Sequence, residues 1–229
     1  GTEFRYLEPS YEGVLDVELT PDDKLRDRDR WAYSWKHQTA LSTPLGGVGL
    51  RWNLNRVSDD YYWHDFSRIP GSESSFANTN KRLISSDGRA TWSAGKHHLS
   101  VYAQKWQTLQ DLRNPDYAAA RIAPPFNRLP QLRWRYDTSD WENQGWDVSL
   151  MADSTRFKAD TWNGRPHANN GQRSYGLTKI SRPYLLPGGF ITPKVQLQAS
   201  NYQFEQAAAH RPQNVSHHSD AQSRQWLGL

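Results

Sequence analysis

The chain contains no cysteine, which excludes disulfides and thiolate-bound metals within its length. Its apolar runs are only a few residues long, against the about 20 that a transmembrane helix needs, so no helical membrane span is possible. No block of five or six Lys or Arg occurs. The formal charge of +4 and the pI near 9.3 come from basic residues scattered along the sequence, and nucleic acid is not an expected partner. Helical periodicity is nearly absent. The opening stretch GTEFRYLEP has neither the basic start nor the apolar middle of a signal peptide, so any export signal is expected outside this sequence.

Aromatics, in contrast, are abundant. Trp 11, Tyr 11 and Phe 7 stand in 229 residues whose mean hydropathy is −0.91. A soluble domain so poor in aliphatic side chains has little with which to build a core. A wall with water on one side and an apolar medium on the other calls for this mixture, because half of its residues must be polar.

Period-two alternation recurs along the chain and predicts strands. In GVLDVELT, Leu15, Val17 and Leu19 oppose Asp16 and Glu18. In RWAYSWK, Trp31, Tyr33 and Trp35 oppose Ala32, Ser34 and Lys36. GVGLRWNLN sets Val48, Leu50, Trp52 and Leu54 against Gly49, Arg51 and Asn53. RATWSA and LSVYAQ continue the pattern on either side of a turn expected at Gly95-Lys96. QLRWRYD, GWDVSLMAD and PKVQLQAS carry it through the second half. With FRYL and a weaker run near Tyr175 to Ile180, about ten strands are predicted, spaced as in barrels whose strands cross hydrocarbon. The chain reads as all-β.

Two architectures fit this pattern. A soluble sandwich packs its apolar face on a second sheet, and an aromatic-rich one would bind carbohydrate through exposed Trp. An outer-membrane barrel turns the apolar face to lipid and the polar face to a wet lumen. Trp31, Trp35, Trp52, Trp92 and Trp146, read as near strand ends, favour the barrel, because aromatic girdles sit at membrane interfaces. Long, turn-rich loops are predicted at 67–80 and 114–129, and short turns elsewhere. One domain is expected over 1–205, followed by a polar tail at 206–229.

The stretch NRVSDDYYWHDF, Asn55 to Phe66, gathers Asp59, Asp60, His64 and Asp65 among four aromatics. It offers one imidazole without a second at ligand spacing, so a zinc site is not expected. It lacks the Asp pattern and central Gly of a calcium loop. No nucleophile with a partner base is present for catalysis. The simpler reading is a strand-to-loop junction, with the aspartates making a turn and the aromatics anchoring at the membrane edge. The pairs His97-His98 and His217-His218 are not expected to chelate, since adjacent strand residues point to opposite faces. Asp16 and Glu18 share one strand face, whereas glycosidase carboxylates flank a cleft.

Several motifs occur in order: GTEFRYL (1–7), LTPDDK (19–24), WKHQ (35–38), NRVSDDYYWHDF (55–66), QTLQD (107–111) and LPQL (129–132). In this the sequence resembles the first part of the barrel domain of the LptD family of LPS-assembly proteins, also called organic solvent tolerance proteins, over about residues 1–205. The resemblance implies an antiparallel transmembrane β-barrel in the outer membrane of a Gram-negative bacterium, of which this sequence holds a part. It also implies a preceding jelly-roll domain, further barrel strands, and no cofactor. The implied partners are lipopolysaccharide, outer-membrane lipid, a plug lipoprotein (LptE) and a periplasmic bridge that includes LptA. The implied job is transport and insertion of lipopolysaccharide, with no chemical step.

In that family the cargo leaves through a gap beside the first strand. Carried over, Phe4, Arg5, Tyr6, Leu7 and Pro9 form one lip of the gate. Pro9 and Pro21, which lack a ladder donor, are expected to weaken pairing there. Arg51, Arg89, Arg133, Arg135 and Lys194 are expected to face the lumen, either meeting lipopolysaccharide phosphates or neutralising lumen carboxylates.

Overall fold

A computed structural model describes residues 1–66, 82–111, 122–141, 144–162, 165–166, 169–205 and 224–228. The strands are β1 (Thr2–Glu8), β2 (Tyr11–Asp23), β3 (Arg28–Thr43), β4 (Gly46–Val57), β5 (Leu83–Ala94), β6 (His97–Thr108), β7 (Asn127–Trp141) and β8 (Trp146–Lys158). They continue with β9 (Thr161–Trp162), β10 (Arg165–Pro166), β11 (Gly171–Ser181), β12 (Tyr184–Leu186), β13 (Gly189–Ile191), β14 (Lys194–Phe204) and β15 (Arg224–Gly228). A single helical turn, α1 (Tyr62–Asp65), lies between β4 and β5. Every strand that the alternation predicts is present. Among the described residues no helix is long and apolar enough to cross a membrane.

Eleven strands form one open antiparallel sheet in the order β1-β2-β3-β4-β5-β6-β7-β8-β11-β14-β15. The register joins the alternating strands into two unlike faces. Leu41, Val48, Trp92, Leu99, Trp134, Ala152, Gly176 and Ala199 stand directly opposite one another in a single row from β3 to β14. A second row, on the other face, runs Glu12, Gln38, Arg51, Arg89, Tyr102, Gln131, Thr155, Arg173 and Tyr202 from β2 to β14. A slip of one residue at any pair would mix the rows, so the two-faced pattern itself fixes the pairing. The apolar face stays uncovered. Phe4, Leu19, Leu41, Val101, Leu132 and Val195 are all exposed on it, and no second large sheet packs there among the described residues.

Connections alternate in length from one rim of the sheet to the other. One rim has the two-residue turns Pro9-Ser10, Pro44-Leu45 and Gly95-Lys96, where Gly95 takes φ 55. The other has the connections at 58–82, 109–126, 159–170 and 205–223. The loop predicted at 67–80 lies outside the described residues, as do residues 114–121 of the loop predicted at 114–129. Of the predicted tail, 206–223 (with His217-His218) also lies outside them, while Arg224–Gly228 pairs with β14 as an eleventh strand.

The buried apolar residues collect at the long-loop rim. Ala32, Val57, Tyr62, Ile84 and Leu109 form one cluster, with Trp63 and Phe66 packed against it. Completely burying a side chain such as Leu109 contributes about 1.5–3 kcal/mol. The cluster lies where α1 folds back over the sheet.

Three indoles on the apolar face have satisfied donors, whereas the buried Trp52 Nε1–H has no partner. The Trp92 indole donates to the Leu45 carbonyl at 2.9 Å, Trp35 to the Tyr6 hydroxyl at 3.1 Å, and Trp134 to His97 Nδ1 at 3.3 Å. Trp35 and Trp52 stand midway along their strands, which differs from the girdle expected at strand ends. The stagger of the first hairpin brings its turn beside them, with Tyr11 opposite Thr39 and Thr39 opposite Leu50.

Candidate functional site

Three features mark what this sheet can do: a charged latch at the long-loop rim, a polar face with basic residues, and an edge strand whose tyrosine reaches across to β3.

The latch is built around Arg30. This residue is the third of β3, on the polar face, and is 1 % exposed. Its guanidinium donates two bonds to Asp59, at 2.9 and 3.1 Å, one to Asp65 at 2.9 Å and one to Asp23 at 3.0 Å. Arg26 donates two further bonds to Asp65, at 2.8 and 3.0 Å, and Arg28 lies 3.3 Å from Asp59. Three arginines therefore meet three aspartates drawn from the end of β2, the residues after β4, and α1. Such a buried set survives desolvation only because each charge is paired and hydrogen-bonded. The Phe66 ring lies 4.6 Å from the Arg30 guanidinium carbon, and the Tyr61 ring lies 4.1 Å from that of Arg26.

Local chemistry prepares the partners. Asp59 accepts from the Tyr61 amide at 3.0 Å and from the Ser58 hydroxyl at 2.7 Å, the turn expected of an aspartate after a strand. Tyr61 donates to Asp111 at 2.8 Å and Tyr62 to Glu18 at 3.1 Å, tying the junction to the loop after β6 and to β2. The Gln107 amide reaches the Val57 backbone from β6. The aromatics of this stretch turn onto the polar face and into the core rather than out to a membrane edge. Burial decides the difference: the Tyr62 ring packs on Ala32 and Val57.

Charge and burial set the ionisation of the latch. The Arg26 hydrogen bonds, with help from His64 and Arg30, hold the Asp65 carboxyl well below the usual range. Burial pushes the Tyr62 phenol up, and the Glu18 hydrogen bond adds to this. Burial also raises Asp60, with Asp111 and Asp59 adding to it. Because Asp65 is depressed in the folded state, its stabilisation is complete above the unfolded carboxylate value of about 4 and lost as pH falls through its lower folded value. Amide protection factors at residues 58–66 should therefore hold from pH 7 to 5 and fall in more acidic buffer. Equal protection on both sides of that range would rule out an ionic latch.

The five basic residues singled out on the polar side share one face of the sheet. Arg133 bonds Asp153 at 3.0 Å, and Arg135 lies 2.5 Å from Asp137. Asp153, buried, also accepts from Gln131, Thr155 and Arg173. These two arginines thus neutralise neighbouring carboxylates. Arg51 and Arg89 stand directly opposite each other across β4 and β5, and the Asp87 carboxylate on the same face lies close enough to act on both charges. They border a cavity of about 550 Å³ that Glu12, Gln38 and Thr91 also line. Lys194 is exposed, opposite Ser181 at the short-turn rim.

At the sheet's edge, all seven residues of β1 pair with β2. Phe4 and Tyr6 lie on the apolar face, Arg5 and Leu7 on the polar one. Tyr6 crosses over Gly13, and its hydroxyl bonds His37 Nδ1 at 2.7 Å on β3. His37 in turn stacks on Trp52, with ring centres 4.0 Å apart. Pro9 occupies the turn after β1, outside the β1–β2 ladder. Pro21 falls where the β2–β3 register shifts between Thr20 and Asp23, beyond the last residue of β2 that pairs with β1.

Reasoning from sequence missed Arg30, Arg26 and Asp153. The signal for the first two is LRDRDRW (25–31), which repeats Arg at period two shortly before a stretch rich in Asp.

A protein-family model described as LPS transport system D (LptD) matches residues 28–226. The LPS-assembly protein LptD of Acidovorax sp. (strain JS42) is 46% identical over 218 residues, covering 94% of this chain and 26% of that protein. Its counterpart in Paracidovorax citrulli (strain AAC00-1) is 45% identical over 207 residues, covering 90% and 24%. In Ralstonia nicotianae (strain ATCC BAA-1114 / GMI1000) the figures are 33% over 205 residues, 90% and 23%. The chain spans about a quarter of the length of these relatives.

Proposed function

Because this chain belongs to the LptD family, we propose that it forms part of the wall of an outer-membrane β-barrel that passes lipopolysaccharide to the outer leaflet. The observation that carries the reading is the register: one apolar face running from β2 to β14 along the short-turn half of a single open sheet, and one polar face behind it. Lipid covers the first face and a wet lumen lies against the second. The two-residue turns mark the periplasmic rim and the long connections the outside, as in other barrels of this kind. The role is transport, and no chemical step belongs to it.

The partners follow from the same reading. A plug lipoprotein of the LptE type fills the lumen, and a periplasmic bridge with an LptA-type member delivers the cargo. Arg51 and Arg89 meet its phosphates, since arginine pairs phosphate oxygens in two-point fashion and the two side chains face each other on the lumen side. The β1 edge, with Phe4, Arg5, Tyr6 and Leu7, forms one lip of the lateral exit.

The carbohydrate-binding sandwich is not favoured, because the exposed apolar face has no opposing sheet among the described residues.

Photo-crosslinking tests the reading in cells that make the complete protein carrying this sequence. A crosslinker at Arg51, Arg89 or Phe4 is expected to capture lipopolysaccharide. One at Ile180, on the apolar face close to the short-turn rim, should capture phospholipid instead. Lipopolysaccharide adducts absent from positions 51, 89 and 4 would sink the proposed route.

A further inference from the structure

One connection at the short-turn rim is unlike the others. Where β1–β2, β3–β4 and β5–β6 join through two residues, β11 and β14 are joined by a small hairpin, β12–β13, with the sequence YLLPGGFI. Pro183 and Pro193 break the ladder on both strands. The Arg182 amide donates to the Pro193 carbonyl across that break at 3.2 Å. Beyond it, Tyr184 pairs with Ile191, Leu185 with Phe190 and Leu186 with Gly189.

This ribbon is apolar on both faces. Tyr184, Leu186 and Ile191 share one side, Leu185 and Phe190 the other, and no residue from 184 to 191 carries a charge. Leu185 is 88% exposed and Phe190 74%. At its base the Arg182 guanidinium carbon lies 5.3 Å from the Trp146 ring and 5.1 Å from that of Tyr184. Trp, Tyr and Arg are the residues that settle at a membrane–water boundary.

We infer that the Tyr184–Ile191 hairpin is a lipid anchor that lies in the interfacial layer of the periplasmic leaflet beside the barrel. The inference rests on the proposed membrane-wall reading. A ribbon that docks on another protein needs one apolar face and leaves the other to water, whereas apolar side chains on both faces call for a medium on both sides. The Tyr184, Leu186 and Ile191 side continues the apolar face that Ile180 and Val195 begin. Three residues per strand reach about 10 Å, enough to enter the boundary of headgroups and acyl chains and far too short to cross. The two prolines, by ending the ladder, let the ribbon leave the line of the wall.

The test places a bimane label at Leu185→Cys in the complete protein carrying this sequence, reconstituted in phosphatidylcholine vesicles. Phe190→Cys serves as a second site, and heat-modifiable gel mobility selects folded material. Spin-labelled phosphatidylcholine is expected to quench either label at least twofold, while aqueous iodide leaves it nearly unchanged. Quenching by iodide would put the hairpin in water, and protection from both quenchers would put it under protein; either overturns the anchor. A label at Val195→Cys, on the wall, separates the two readings. Lipid quenching at 195 without quenching at 185 and 190 defeats the anchor alone, and no lipid quenching at 195 defeats the membrane wall with it.

Discussion

Arg30→Ala is expected to destabilise the long-loop rim by about 3–5 kcal/mol, the cost of removing one member from a buried ionic set. The substitution leaves Asp59 and Asp65, both almost buried, short of three of their guanidinium bonds, and Asp23 short of another. It also opens a space between the Phe66 and Tyr62 rings and β3. Arg30→Lys should fall between the variant and the parent, since an ammonium keeps the charge but not the fork that serves three carboxylates at once. The readout is the urea midpoint of the complete protein in detergent, together with hydrogen exchange at residues 58–66. An alanine variant with an unmoved midpoint and a protected junction would show that the aromatic packing, not the ions, holds the loop.

The second large effect belongs to Gly13. A Cβ built there would sit 2.2 Å from the Tyr6 hydroxyl, 2.3 Å from its ring and 2.7 Å from the Lys36 carbonyl. Two of those neighbours are on the edge strand and the third is backbone that cannot move cheaply. Gly13→Ala should therefore push Tyr6 off His37 and Trp35 and loosen β1, at a cost of about 1–3 kcal/mol. Amides in Thr2–Glu8 are expected to exchange faster, while those of β11 and β14 keep their rates. In a Tyr6→Ala background the same change meets only the Lys36 carbonyl, so the two effects should fall short of additive. Strict additivity would mean that the tyrosine is not seated on the glycine.

Much of this architecture was legible because period-two alternation is a local signal. Leu15, Trp35, Leu54 and Trp92 could be assigned to one side strand by strand, and the ladder then placed them on one face. The latch was not legible in the same way. Arg30 lies 29 residues from Asp59 and 35 from Asp65, and nothing within a short window says which carboxylates a given arginine will meet. The aromatics of Tyr61–Phe66 were misplaced for the same reason, since their burial depends on the core formed by Ala32, Val57, Ile84 and Leu109. The Tyr184–Ile191 hairpin escaped notice on different grounds. Apolar residues on both sides produce no alternation, so a test for period two is blind to them. Arg224–Gly228, five residues beside a polar stretch, is too brief for any period to emerge.

Every strand of the large sheet borders the strand nearest to it in the chain among those the sheet contains. The ladder therefore has a natural order of closure. β1–β2, β3–β4 and β5–β6 are tight hairpins that close with little loss of chain entropy. Joining β4 to β5 and β6 to β7 means closing the longer segments 58–82 and 109–126, and the added cost grows only with the logarithm of their length. Pairing so local lets a sheet form without a distant strand having to search for its place. The wall behaves like a zipper whose teeth are whole hairpins, and lengthening or shortening it by one pair leaves every remaining register as it was.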